Sequence, residues 1–200
     1  MGKKKSKGKN SMPKLTEKQS DIMDIISKTG CICEDNLKEF GLNKHTINKM
    51  VEFGFIKETR AIVDRNTSRT VYVADKSGQS YLKNYYGSSL YRHQSVHHDS
   101  QLNDRLVKVW DEYKNGTVGI LTETQAKDLV IDKINHIEDY AIRTQYQEEL
   151  QEHKISPSDM VIVKEVNNVI TYICEEVITV NYNAEMILAK EHFQEILERY

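Results

Sequence analysis

The feature that most constrains this chain is a change of hydrophobic period at Gly54. Before it, apolar residues recur at helical spacing; after it, they alternate. Thr16-Glu-Lys-Gln19 is a capping-box pattern, and Ile22, Ile25 and Ile26 follow as an apolar stripe that Gly30 stops. Cys31-Ile-Cys33 reads as a short extended link. Glu34 to Phe40 reads as a second helix, with Leu37 and Phe40 on one face and Gly41 making the turn. Asn43 can cap a third helix running to Phe53, with Ile47, Met50 and Val51 turned inward. Phe55 to Val63 and Thr70 to Ala74 then read as two strands around a polar turn, Asp64 to Arg69. Ser77-Gly78 opens a helix containing Tyr81, Leu82 and Tyr85. Three helices, a hairpin and a helix are the order of a winged helix-turn-helix, expected over residues 15–90.

Charge divides the chain near the end of that pattern. Residues 1–95 hold 18 Lys and Arg against 10 Asp and Glu, a net of +8; residues 96–200 hold 10 against 20, a net of −10. A basic half of this kind points to a nucleic-acid-facing module. Residues 1–14, with Lys3, Lys4, Lys5, Lys7, Lys9 and Lys14 among Gly and Ser, read as a disordered basic tail suited to phosphate contact, nuclear localisation or solubility. The tail has no apolar region after its charges, so it does not read as a secretory signal. No apolar run approaches the ~20 residues a membrane helix needs. Three Cys, two of them in the first domain, suit reduced thiols in a cytoplasmic protein better than a disulfide framework or a zinc site.

In a winged helix the third helix would enter the major groove. Its outward face presents Lys44, His45, Asn48 and Lys49, with Thr46 near the helix start. Asn and Lys can read adenine and guanine edges. Arg65 and Arg69 in the hairpin turn suit phosphate or minor-groove contact.

The second half, residues 96–200, reads as an acidic α/β domain with a small sheet. Val96 to Tyr113 is an amphipathic helix with Leu102, Leu106, Val109, Trp110 and Tyr113 on one stripe. His97 and His98 near its start are adjacent and face different ways, so they do not form a metal-binding pair. Ile120 to Thr124 reads as a short strand. Residues 125–154 read as partly helical, with Ile134, Ile137 and Tyr140 as anchors. Met160 to Val163 and Val169 to Val180 read as strands joined by a tight Asn167-Asn168 turn, and Asn183 can cap a last helix to Tyr200.

Taken together, the layout resembles the replication-relaxation family of plasmids, phages and other mobile elements. The resemblance rests on the winged-helix order, His97-His98 with Asn103-Asp104, Thr122-Glu123, and Pro157-Ser158-Asp159. It continues through Glu176-Val177-Ile178-Thr179, Asn181-Tyr182 and a helix bearing Lys190, covering about residues 15–200. The second half is also similar to the core of restriction-like nucleases, with their Pro-Asp and Glu-X-Lys pair. There, Asp159 and Glu176 would hold a divalent ion, Glu123 would add a third carboxylate, and Lys190 would stabilise phosphate charge. Ile178 stands where those nucleases carry Lys, so the resemblance implies a degenerate, non-catalytic domain without a bound metal or other cofactor.

The resulting expectation is a sequence-specific double-stranded DNA-binding protein of a mobile element. It would act in initiating or controlling replication or transfer, as a homodimer or with a replication or transfer protein, away from membranes. A metal-dependent nuclease using magnesium with Glu123, Asp159, Glu176 and Lys190 is one alternative. A transcriptional repressor whose second half dimerises is another.

Overall fold

A computed structural model of the protein describes residues 14–63, 67–87, 90–178 and 182–200. The basic tail up to residue 13 and Arg65 therefore lie outside the described residues. Within them the chain is mixed α+β, with seven α-helices and two three-stranded antiparallel sheets.

The first sheet is built around α1 (Glu17–Thr29), β1 (Cys31–Cys33), α2 (Lys44–Glu52), β2 (Ile56–Ile62), β3 (Ser68–Ala74) and α3 (Lys76–Tyr86). Thr16 and Gln19 close the capping box of α1, and Asn43 caps α2. Strand order is β1-β3-β2, with Ile32 opposite Tyr72 and Thr59 opposite Val71. The short Cys31-Ile-Cys33 link thus becomes the outer strand of the sheet.

The helix expected over Glu34–Phe40 is a correction. Only Glu34–Asn36 is helical, as a single 3-10 turn. Gly41, at φ 64°, reverses the chain, and the Asn36 side-chain amide is held by Asn103 and Asp104. Leu37, Phe40 and Leu42 nonetheless point into the core.

The remaining elements are α4 (Val96–Lys114), β4 (Val118–Thr122), α5 (Glu123–Asn135), α6 (Tyr140–Gln151), β5 (Met160–Val166), β6 (Val169–Glu175) and α7 (Ala184–Arg199). The second sheet has the order β4-β5-β6. Asn167 and Asn168 both take positive φ, 53° and 63°, as a two-residue turn that matches strand twist requires. Several details differ from the sequence reading, among them the start of β3 at Ser68 and the end of β5 at Val166. Glu123 and Thr124 begin α5, because Thr122 caps that helix in a box with Gln125. Tyr140, expected as an anchor, is exposed at the start of α6. The last strand ends at Glu175, since the Val177 amide donates to Asp159 instead of to a neighbouring strand. Residues 179–181 lie outside the described residues.

Packing runs across the charge break. Leu102, Leu106 and Trp110 of α4 are buried in one core with Ile22, Ile26, Ile32 and Phe40, and that core reaches Ile120, Met160 and Val177. Phe40 meets the Trp110 ring edge-on at 5.3 Å. The connector before α4, residues 90–95, is anchored too: the Tyr91 amide donates to the Ser27 carbonyl at 3.0 Å. A second core joins α5 and α7 to the other face of the second sheet through Val130, Ile134, Val161, Phe193 and Ile196. No described helix is long and apolar enough to cross a membrane.

Candidate functional site

Two places gather the residues singled out by the sequence. The first is the outer face of α2. Its inner face is fixed by Ile47 and Met50, both fully buried, so helical geometry turns His45, Asn48 and Lys49 outward, where they are exposed. None of these three side chains has a partner among the described residues. Lys44 and Thr46 are committed elsewhere. Lys44 pairs with Glu34 at 2.6 Å, contacts the Tyr72 hydroxyl, and lies 4.9 Å from the centre of that ring. Thr46 gives both its amide (2.9 Å) and its hydroxyl (3.1 Å) to the capping Asn43.

Arg69 was expected to face nucleic acid. Instead its side chain is 14% exposed and bridges the turn end of the hairpin to two carboxylates. It donates to both oxygens of Asp104, at 2.9 and 2.7 Å, and to Asp35 at 3.0 Å. Next to it, Asn103 acts as a surrogate strand for β1. Its side-chain oxygen accepts from the Cys33 amide at 3.1 Å, and its side-chain nitrogen donates to the Cys31 carbonyl at 3.1 Å. The Asn103-Asp104 pair thus ties α4 to the first sheet by main-chain and charged contacts.

The second place is a buried charge cluster where the two halves meet. His98 and Asp99 enter from the first turn of α4, Tyr91 and His93 from the connector, Asp159 from the start of β5, Glu176 from beyond β6, and Lys190 from α7. The Tyr91 hydroxyl donates to Asp99 at 2.9 Å and so receives from His98 Nδ1, also at 2.9 Å. His98 Nε2 lies 3.2 Å from Asp159 Oδ2. Both ring nitrogens therefore act as donors, which defines an imidazolium. Burial alone would push His98 down, but hydrogen bonds to Asp159 and then Asp99 outweigh it and lift its pKa to about 9. Gly30, which caps α1 at φ 80°, leaves space for this arrangement: a Cβ there would come within 2.7 Å of Asp99.

On the far side of Asp159, Lys190 donates to Glu176 at 2.9 Å and to the Pro157 carbonyl at 2.5 Å, and lies 3.7 Å from Asp159 Oδ1. Burial raises the Asp159 carboxyl, yet the His98 hydrogen bond, the Lys190 charge and the Val177 amide hold it below the usual range. Glu176 is pushed up, by burial first and by the Asp159 charge, against the pull of Lys190. Ser158, Cys174, Glu176, Tyr182 and Lys190 border a cavity of about 120 Å³. The Ser158 hydroxyl and Glu176 Oε1 are buried there without a hydrogen-bond partner among the described residues.

Asp159, Glu176 and Lys190 thus converge, as the nuclease resemblance implies, while Glu123 does not join them. Glu123 sits in the first turn of α5 and makes no ion pair or side-chain hydrogen bond with the other two. Among the described residues, no group of three His, Cys, Asp or Glu side chains is arranged to hold a metal ion. The Lys190 ammonium occupies the space between the two carboxylates. This donor set does not fit magnesium. The cluster is only partly legible in the sequence: motif marks Asp159, Glu176 and Lys190, whereas none marks Tyr91, His93 or Asp99. The run His97-His98-Asp99 was the available signal, since a carboxylate beside a histidine at a helix start can satisfy a charged ring.

No family model, curated protein or solved structure matches this chain.

Proposed function

We propose that this chain is a sequence-specific double-stranded DNA-binding protein of a mobile element, built on a winged helix-turn-helix and acting in replication or transfer. The observation that carries the reading is α2. It is a capped helix, buried on one side, whose other side offers His45, Asn48 and Lys49 without partners among the described residues. It stands beside an antiparallel hairpin in the order helix, strand, turn, helix, hairpin, and the net charge of +8 over residues 1–95 supplies long-range attraction to phosphate. Protein contact is the competing use of such a helix, and salt separates the two. Fluorescence anisotropy with a labelled duplex and the full chain is the test. If ~6 phosphates are contacted, affinity falls roughly a thousandfold between 50 and 200 mM salt. Salt-independent binding, or none, would move α2 to the protein-contact class.

One observation favours the nuclease as a second reading: Asp159, Glu176 and Lys190 meet around one small cavity. The ion pairs among them argue against it, because Lys190 already pairs with Glu176 and lies beside Asp159 within the protein. On this account the purified protein leaves supercoiled plasmid intact in magnesium or manganese. Nicking abolished by both Asp159→Ala and Lys190→Ala would establish the nuclease.

A further inference from the structure

One edge of the second sheet is β6, a strand rich in β-branched residues and uncharged up to its last residue, Glu175. β6 pairs on one side with β5, and its other side is open among the described residues. Residues 166–174 contain no charged side chain, within a half whose net charge is −10. Val166, Val169, Ile170 and Ile173 are all exposed on this hairpin. Open edges in folded proteins are guarded by Lys, Pro, a bulge or a covering element. β6 has no Lys, no Pro and no interruption in its register with β5.

We infer that β6 is a dimer interface, occupied by β6 of a second copy in antiparallel orientation, so that the two sheets continue as one of six strands. The inference supplies a surface for the homodimer expected from the sequence and rests on that part of the reading, not on DNA binding. The pairing phase follows from the turn. Asn167 and Asn168 form a two-residue loop, so Val166 and Val169 are the hydrogen-bonded pair that closes it. Main-chain groups alternate along an antiparallel ladder, so those of Ile170, Tyr172 and Cys174 point to the open edge. A twofold axis at Thr171 satisfies that phase. It sets Ile170 opposite the partner's Tyr172, Val169 opposite the partner's Ile173, and Thr171 opposite the partner's Thr171. Aromatic with β-branched, β-branched with β-branched, and Thr with Thr are pairings that stabilise a sheet. No like charges face each other, and the same strand meets both requirements of an isologous contact. An unrelated strand would need the same uncharged, β-branched pattern in the same phase. The assembly would carry two copies of α2.

Sedimentation of the full chain without DNA tests this, and its result does not depend on whether DNA is bound. Wild type is expected at twice the mass of one chain at micromolar concentration. Val169→Lys and Ile170→Lys alter exposed side chains, so each should melt like wild type yet sediment as a monomer. Thr171→Cys, in a Cys174→Ser background, should form a disulfide-linked dimer under mild oxidation, because the two positions are directly opposed across a non-hydrogen-bonded pair. A monomeric wild type would overturn the inference. So would a dimer that survives both lysine substitutions and gives no cross-link at position 171.

Discussion

At the scale of single residues, His98 and Asn103 explain how a basic half and an acidic half form one structure. His98 is charged because each ring nitrogen faces an acceptor, the Tyr91 hydroxyl oxygen and Asp159, the latter reached across 61 positions of sequence. The pKa of His98 is raised to about 9 from an ordinary 6.5. Its contribution to stability is therefore fully present below pH 6.5 and is lost as pH rises through 9. Melting temperature should fall over that window in wild type and fall less in His98→Gln, as thermal denaturation at stepped pH would reveal. An equally steep fall in the variant would assign the dependence to another group. Asn103→Ala should destabilise the protein by about 2 kcal/mol or more, because it leaves a buried amide and a buried carbonyl of β1 unpaired. Urea unfolding measures this, and a loss within about 0.5 kcal/mol would mean that the β1 edge is satisfied otherwise. Neither role was legible from sequence. An Asn in a helix gives no sign that it will complete a sheet edge 70 residues away.

At the scale of elements, most of the pattern was readable because local chemistry decides it. The capping residues Thr16, Asn43 and Asn183, the change of period at Gly54 and the Asn167-Asn168 turn each act within a few residues, and the elements they delimit are present. The 3-10 turn at Glu34 and the early end of β6 depend on distant partners, Asn103 and Asp159, and these the pattern could not show. Arg69 belongs to the same group. Its place in a polar turn reads as a phosphate contact, whereas Asp104 and Asp35 hold it within the protein. Arg69→Ala should therefore lower stability by leaving Asp104 and Asp35 without their cation, and unfolding and DNA titrations on the same preparation would separate the two roles. A variant as stable as wild type that binds all duplexes weakly would restore the phosphate role.

At the scale of the whole molecule, the charge break and the packing do not coincide. Leu102, Leu106 and Trp110 complete the core of the basic half although they follow the break. A fragment ending at residue 90 should consequently lack cooperative unfolding, while one ending at 115 should regain part of it. Circular dichroism melts of the two fragments would show this, and a cooperative transition in the shorter one would make α4 dispensable. The charge cluster at the start of α4 adds to the attachment, through Tyr91 on one side and Asp159 on the other.

The proposed function depends on α2 reading base edges. Selection of duplexes from a randomised pool by the full chain, followed by titration of Asn48→Ala and Lys49→Ala on a selected and a random duplex, tests it most directly. Base reading by α2 should give enrichment of a defined sequence and a loss of ~1–3 kcal/mol for each variant on the selected duplex, with little change on the random one. Absence of enrichment, or an equal loss on both duplexes, would contradict it.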